Sequence, residues 1–157
     1  MFHAQQHGNI LVTTDPARFD LAAIHAFLAG SYWAGGIPRE VMQRSMLNSI
    51  CFGAFDGDCQ VGFARVISDR ATFAYVADVF VLPSHRGRGI GRRLMDCITS
   101  HPDLQDLRLW TLFTRDAHGL YRPHGFREAR YPDRLMERRA ERPYALTASG
   151  AVRETAP

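Results

Sequence analysis

The 157-residue chain reads as an α+β domain: a mixed, mostly antiparallel sheet with helices packed on it in three layers, α/β/α. Three observations carry that expectation. Residues 49–82 hold three apolar runs of strand composition, the first two joined by Asp56-Gly57-Asp58, a strong hairpin signal. The third run ends at Pro83 and passes through a turn containing Gly87, Gly89 and Gly91 into an amphipathic helix. Ahead of the strands, residues 15–48 carry two segments with helix-start and helix-stop residues.

In chain order the elements are β-α-α-β-β-β-α-β-α-β-β. Residues 9–13 form the first strand. Asp15, or Thr14, caps a helix with Pro16 in its first turn. Phe19, Ala22, Ala23, Ala26 and Phe27 share one face of that helix, and Gly30 stops it. A loop with two large aromatics, Tyr32 and Trp33, leads to a second helix opened by Pro38 and running to about Asn48. Strands follow at 49–55, 60–67 and 72–82, the last two joined through Ser68-Asp69-Arg70. Ile90, Leu94, Met95 and Ile98 mark the buried face of the next helix, which stops at Ser100-His101-Pro102. A strand at 107–113, a short helix at 116–122, and strand segments at Phe126 and 131–137 complete the sheet. Residues 1–139 make one domain, and 140–157 read as a frayed tail.

Composition narrows the function. A hydrophobic content of 46% with 22% charged residues is that of a soluble globular protein, and no apolar run approaches membrane-spanning length. The N-terminus lacks the layout of a signal peptide. Cys51, Cys59 and Cys97 are an odd number without a Cys-x-x-Cys pair, which points to reduced thiols in a cytoplasmic protein and to no metal site. Cys51 and Cys97 sit in apolar surroundings and read as core. All 19 basic residues are arginine, so the chain has no lysine on which to acetylate itself. Arginines cluster at 86–93 and 127–142, but Asp133, Glu137 and Glu141 interleave the second cluster. With no helix-turn-helix or base-stacking signature, a nucleic-acid partner is not expected.

The glycine turn presents bare backbone N–H groups and the positive end of a helix dipole, an arrangement that holds anions. Its spacing is not the Gly-x-Gly-x-x-Gly of dinucleotide folds, and no Gly-Lys-Ser/Thr follows as in a P-loop. Arg86-Gly87-Arg88-Gly89-Ile90-Gly91 matches Arg/Gln-x-x-Gly-x-Gly/Ala. With Val81-Leu82-Pro83 before it, it resembles the pyrophosphate-binding motif of the GNAT superfamily of N-acetyltransferases. Ala117, Tyr121, Gly125 and Phe126 resemble the family's Ala-x-x-x-Tyr-x-x-x-Gly-Phe segment, whose short helix flanks the coenzyme arm. The order of elements is the family's as well, over residues 9–137.

The resemblance implies a sheet splayed at the coenzyme site and acetyl-CoA as co-substrate. Its pyrophosphate would lie over the N–H groups of Arg86, Gly87, Arg88, Gly89, Ile90 and Gly91, with arginine side chains, Arg92 among them, adding charge. A backbone N–H on Val79, Phe80 or Val81 would face the oxyanion formed on attack, with the coenzyme arm between this strand and 107–113. Tyr121 takes the place of the family's general acid. Asp78 interrupts an apolar strand, as a base or orienting group, or as a partner to an arginine or loop. Ala77 stands where polyamine acetyltransferases often carry a second acid. His118 is a second candidate base, and His85 reads as solvated. Thr114 stands where many members bind the coenzyme arm through asparagine.

Ser31, Tyr32 and Trp33 lie where the family selects its acceptor. The aromatic pair could hold a cationic amine by cation–π attraction above Asp78, cover an apolar or aromatic substrate, or plug the sheet. The implied activity is direct acetyl transfer to an amine of a small molecule or a protein. The alternative is a non-catalytic acyl-CoA-binding or sensing domain of the same fold. The resemblance is compatible with a homodimer through a sheet edge, and no membrane partner is expected.

Overall fold

The computed structural model describes residues 1–144. Six strands lie side by side in sequence order: β1 (Ala4–His7), β2 (Ile10–Thr13), β3 (Ile50–Asp56), β4 (Cys59–Ser68), β5 (Phe73–Val81) and β6 (Leu109–Leu112). Neighbours are antiparallel except β5 and β6, which are parallel and joined by a crossover containing α3 (Ile90–Thr99). The other α-helices among the described residues are α1 (Leu21–Ala29), α2 (Arg39–Leu47) and the short α4 (His118–Tyr121).

The sheet is covered on both faces, which makes the three layers. Ile24 and Leu28 of α1 and Met42 of α2 pack with Cys51, Phe63 and Phe80 on one side. Ile90, Leu94, Met95, Cys97 and Ile98 of α3 pack with Phe52, Ala54, Ala64, Val66, Ala74 and Val76 on the other. Burying one such aliphatic side chain contributes about 1.5–3 kcal/mol, so the α3 face is a principal source of stability. Cys97 is buried on the α3 side and Cys51 on the α1/α2 side, both in the core as expected, and all three cysteines are free thiols. Among the described residues, no helix is long and apolar enough to cross a membrane.

Four local expectations need correction. Asp15 caps only a 3-10 turn, Pro16–Arg18; a second cap, Asp20, accepts from the N–H groups of Ala22 and Ala23 and starts α1. The buried face of α1 is therefore Ile24 and Leu28, while Ala22 and Ala26 are exposed. β1 is an added strand, paired Ala4↔Thr13 through His7↔Ile10 across a turn at Gly8 (φ +59°). Its Gln5 and Gln6 give no apolar alternation, because an edge strand is held mainly by its backbone ladder. The two last strand segments do not form among the described residues. Phe126 is a plug whose ring meets Trp110 and Tyr121 at 6.3 and 6.0 Å, and 131–137 contains a 3-10 turn at Pro132–Arg134. Pro132 has no N–H to donate, and Leu135 and Met136 are exposed with no face to cover them. Of the expected tail, 145–157 lies outside the described residues; Tyr144 packs against the α1/α2 cluster.

Candidate active site

The site begins where two strands part. β5 pairs with β6 only from Phe73↔Leu109 to Val76↔Leu112, so the rest of β5 has an open edge on that side. On the other side Arg65 pairs with Ala77 but Phe63 with Phe80, so β5 carries one extra residue between 77 and 80. The bulge centres on Asp78, whose φ is +55°. This left-handed conformation costs an L-residue roughly 1–2 kcal/mol and is tolerated best by Asp and Asn.

The bulge decides what each β5 residue faces. With strict alternation, 78 and 80 would point with Ala74 and Val76 into the α3 core. Instead Phe80 packs in the α1/α2 cluster, Val79 and Val81 pack against the α3 core, and Asp78 meets groups on the α1/α2 side. The backbone edges follow the same logic. Leu82 N–H donates to the Val61 carbonyl at 2.8 Å, and the Phe80 carbonyl lies over Gly62, both toward β4. By alternation the N–H and C=O groups of Val79 and Val81 face the gap. Consistent with this, the Val81 carbonyl accepts from Arg86 Nε at 3.0 Å. Of the three strand residues singled out from the sequence, Phe80 is turned to β4.

Asp78 is held at both oxygens. Arg65 Nε donates to Oδ2 at 2.7 Å and Trp33 Nε1 donates to Oδ1 at 3.1 Å. Arg65 also donates through Nη1 to Ser49 Oγ at 3.1 Å. The pair is largely buried, with side chains 14% and 10% exposed. Arg65 was missed in the sequence, although it breaks the apolar run of β4 just as Asp78 breaks that of β5. Opposite charges interrupting the two strands of one antiparallel pair were the available signal.

At the far end of β5 the turn is built as its glycines require. Gly87 and Gly89 have φ of +73° and +74°, and Gly89 is the N-cap of α3. A Cβ at either would meet nothing within 4 Å, which leaves space for a ligand. The first intrahelical bond runs from Arg93 N–H to Gly89 O, and among the described residues no side chain caps the turn. The N–H groups of Ile90, Gly91 and Arg92 are therefore without intrahelical acceptors. Arg88 is drawn to Asp56 at 2.9 Å, and Arg92 is exposed. A Cβ on Gly91 would lie 3.3 Å from Leu120, so the glycine lets α4 approach α3.

That approach places Tyr121, on α4, in the cleft wall with 8% exposure. Burial, with smaller effects from Tyr32 and Tyr75, pushes its phenol up to about 12. It keeps its proton throughout the neutral range. Thr114 Oγ1 accepts from the N–H of Ala117, the N-cap residue of α4, at 2.9 Å and so ties down the turn before the helix, leaving its own O–H to donate. His118 is exposed on α4, and His85 bonds Ser84 at 2.8 Å with Asp56 at 3.8 Å.

A cleft of about 800 Å³ brings Tyr32, Trp33, Asp78, Val79, Thr114 and Tyr121 together. The loop aromatics are fixed in its mouth. Ser31 Oγ donates to the Leu28 carbonyl at the end of α1, the Tyr32 and Trp33 rings meet edge-on at 5.0 Å, and the Arg115 guanidinium lies 4.1 Å from the Tyr32 ring centre. A second hollow of about 1100 Å³, near Met46, Leu47, Ile50 and Phe19, contains neither the strand gap nor the glycine turn.

Comparison with known proteins agrees with this geometry. Residues 48–128 match the family model of the acetyltransferase (GNAT) domain. The crystal structure of a candidate acetyltransferase of the GNAT family from Xanthomonas campestris pv. campestris is 49% identical, covers 90% of this chain and 99% of that one, and superposes with a TM-score of 0.83. A candidate acetyltransferase of Gibberella zeae is 33% identical over 128 residues, 66% of this chain and 72% of that protein. At 13% identity, a candidate acetyltransferase from Clostridium acetobutylicum, crystallised with acetyl-CoA, shares the fold with a TM-score of 0.59 over 88% of this chain and 96% of that one. The open strand edge, the glycine-capped helix and the matched domain agree: the chain belongs to the GNAT acetyltransferase family.

Proposed function

We propose that the protein is an acetyl-CoA-dependent N-acetyltransferase that passes the acetyl group directly to an amine of a small molecule or a protein. One observation carries the reading: a single cleft holds the unpaired edge of β5 at Val79 and the protonated phenol of Tyr121, with the glycine-capped start of α3 at the end of the same strand. The residues fit the coenzyme. Gly87 and Gly89 leave open space, Ile90, Gly91 and Arg92 offer free N–H groups for a pyrophosphate, and the edge at Val79 and Val81 can bond an amide-bearing arm. Arg86, Arg88 and Arg92 add positive charge at the turn, and Thr114 retains a hydroxyl donor.

Bound acetyl-CoA supplies an activated acetyl thioester. The Val79 N–H is a preorganised donor where negative charge grows on the acetyl oxygen. Tyr121 holds a proton at its phenol oxygen and donates toward the departing sulfur. Asp78, committed to Arg65 and Trp33, acts as an orienting group that fixes the acceptor loop over the bulge. In the net reaction the amine nitrogen forms the new N–C bond and the C–S bond breaks with its electron pair going to sulfur. One amine proton ends on that sulfur. The unpaired cysteines suit the cytoplasm as the working compartment.

The test is to titrate the protein with acetyl-CoA by calorimetry, then to follow acceptor acetylation by mass spectrometry. Saturable binding with acetylation of an amine supports the reading. Binding without acetylation of any amine supports a coenzyme-sensing domain instead, and no binding removes both.

A further inference from the structure

The sequence leaves three uses open for Tyr32 and Trp33: holding a cation, covering an aromatic acceptor, or plugging the sheet. The structure distinguishes them. Every carboxylate facing the cleft among the described residues already has a guanidinium partner. Asp78 pairs with Arg65 at 2.7 Å, Asp116 with Arg115 at 3.7 Å, and Glu137 with Arg139 through two bonds of 2.7 and 3.0 Å. A polyamine or aminoglycoside brings further ammonium groups, and each would meet an arginine beside any acid it approached. An amino acid's carboxylate would in turn have to break one of these pairs to find a cation. Cation–π capture is also pre-empted at Tyr32, where Arg115 already lies 4.1 Å from the ring centre.

What the cleft still offers is exposed neutral aromatic surface, including the part of Tyr32 that Arg115 leaves uncovered. Tyr32, Trp33 and Phe113 are 56%, 41% and 60% exposed around this one cleft, and Tyr75 and Tyr121 continue its wall. Large aromatics so exposed around one concavity mark a place where apolar area is waiting to be covered. They are not a plug, since a plug would be buried. The Trp33 ring is also preorganised: its indole N–H is fixed on Asp78 at 3.1 Å, so its face is offered at little further entropic cost.

Resting on the N-acetyltransferase reading above, we infer that the acceptor is a small monoamine carried on an aromatic ring. The ring stacks or packs edge-on against Trp33 and Tyr32, and the single amine reaches past Asp78 to the gap beside Val79. The charge pairs around the cleft leave no unpaired acid among its described lining residues to favour an acceptor with a second ammonium group.

The test compares kcat/KM for an aromatic monoamine (2-phenylethylamine), spermidine, an aminoglycoside, glutamate and a lysine peptide. In parallel, calorimetry measures their binding to protein saturated with coenzyme A. The aromatic monoamine is expected to exceed every other class by at least about tenfold in kcat/KM, a difference of one well-packed contact. Its binding should change little between low and high salt, because no ion pair selects it. Trp33→Ala and, separately, Tyr32→Ala should weaken that binding by about tenfold while acetyl-CoA binding persists, which reports that each variant is folded. Preference for spermidine, the aminoglycoside, glutamate or the lysine peptide overturns the inference, as does aromatic binding indifferent to both substitutions. If coenzyme binds but no amine is acetylated, the N-acetyltransferase reading fails by itself. Calorimetry then still decides the acceptor site: aromatic-amine binding lost in Trp33→Ala sustains it, and no such binding overturns it.

Discussion

Trp33 and Asp78 are joined by a 3.1 Å hydrogen bond that ties the loop between α1 and α2 to the bulge of β5. The contact exists because Asp78 adopts a φ of +55° and so turns its carboxylate away from the α3 core. Arg65 completes the unit from β4 at 2.7 Å. A strained backbone position thus sets the side chain that anchors the loop between α1 and α2.

Asp78→Asn should keep the left-handed backbone, which asparagine tolerates, and should leave Arg65 without its counter-charge. Breaking a buried pair from one side costs about 3–5 kcal/mol, and with both side chains slightly exposed we expect about 2 kcal/mol. Urea denaturation measures it. A loss within error of zero would mean that the ion pair does not hold the bulge. The double variant with Arg65→Met should recover part of the loss, since it removes the stranded charge.

Tyr121→Phe should lower kcat by about 100-fold and leave the KM for acetyl-CoA nearly unchanged, because a positioned acid typically contributes 10²–10⁴-fold. Since burial raises the phenol to about 12, its ionisation produces no alkaline fall in the rate of the natural enzyme between pH 8 and 10. A pH–rate profile whose alkaline limb disappears in Tyr121→Phe would assign the residue an ordinary pKa and contradict the buried environment.

Gly89→Ala separates folding from coenzyme binding. The new Cβ meets no protein atom within 4 Å, so only the positive φ is penalised, by roughly 1–2 kcal/mol. The methyl group enters the open space proposed for the pyrophosphate, and acetyl-CoA affinity should fall at least about tenfold by calorimetry. Unchanged affinity would move the phosphates elsewhere.

Alkali should destabilise the fold through three buried groups. Burial raises the thiols of Cys51 and Cys97 from 9.0 to about 12, and the Tyr121 phenol from 10.0 to about 12. Between those values the folded chain keeps protons that the unfolded chain has released. The stabilisation is fully present below about pH 9 and is lost as pH rises toward 12. Denaturation midpoints should hold from pH 7 to 8.5 and then decline. A flat profile to pH 11 would show that these groups titrate freely in the native state.

Much of the fold was legible because its signals are local. The Asp56-Gly57-Asp58 hairpin, the apolar spacing of α3 and the strand–glycine turn–helix order each follow from backbone chemistry within a dozen residues. Non-local features were harder to read. β1 exists through its ladder to β2, not through its polar side chains, and α1 starts at Asp20 because two caps follow one another. The expected strand at 131–137 had apolar residues but no free sheet face to bury them. Within the site, Tyr121, Thr114 and the aromatic loop could be named from the sequence. The bulge at Asp78 could not, because a period-2 pattern does not reveal where one residue is inserted. Arg65 depends on that same register, so its role emerges only once β4 and β5 are paired.

In the proposed function, one cleft binds acetyl-CoA and Tyr121 helps to release its thiol during transfer to an amine. Single-turnover thiol release in the presence of an aromatic monoamine, for the natural chain and Tyr121→Phe, tests it most directly when coenzyme binding is measured on the same samples. Because the chain contains no lysine, acetylation of its own side chains adds little background. The expected result is equal coenzyme binding by both proteins, one thiol released per amine acetylated, and release about 100-fold slower in Tyr121→Phe. Equal release rates, or tight binding by the natural chain with no thiol released, would contradict it.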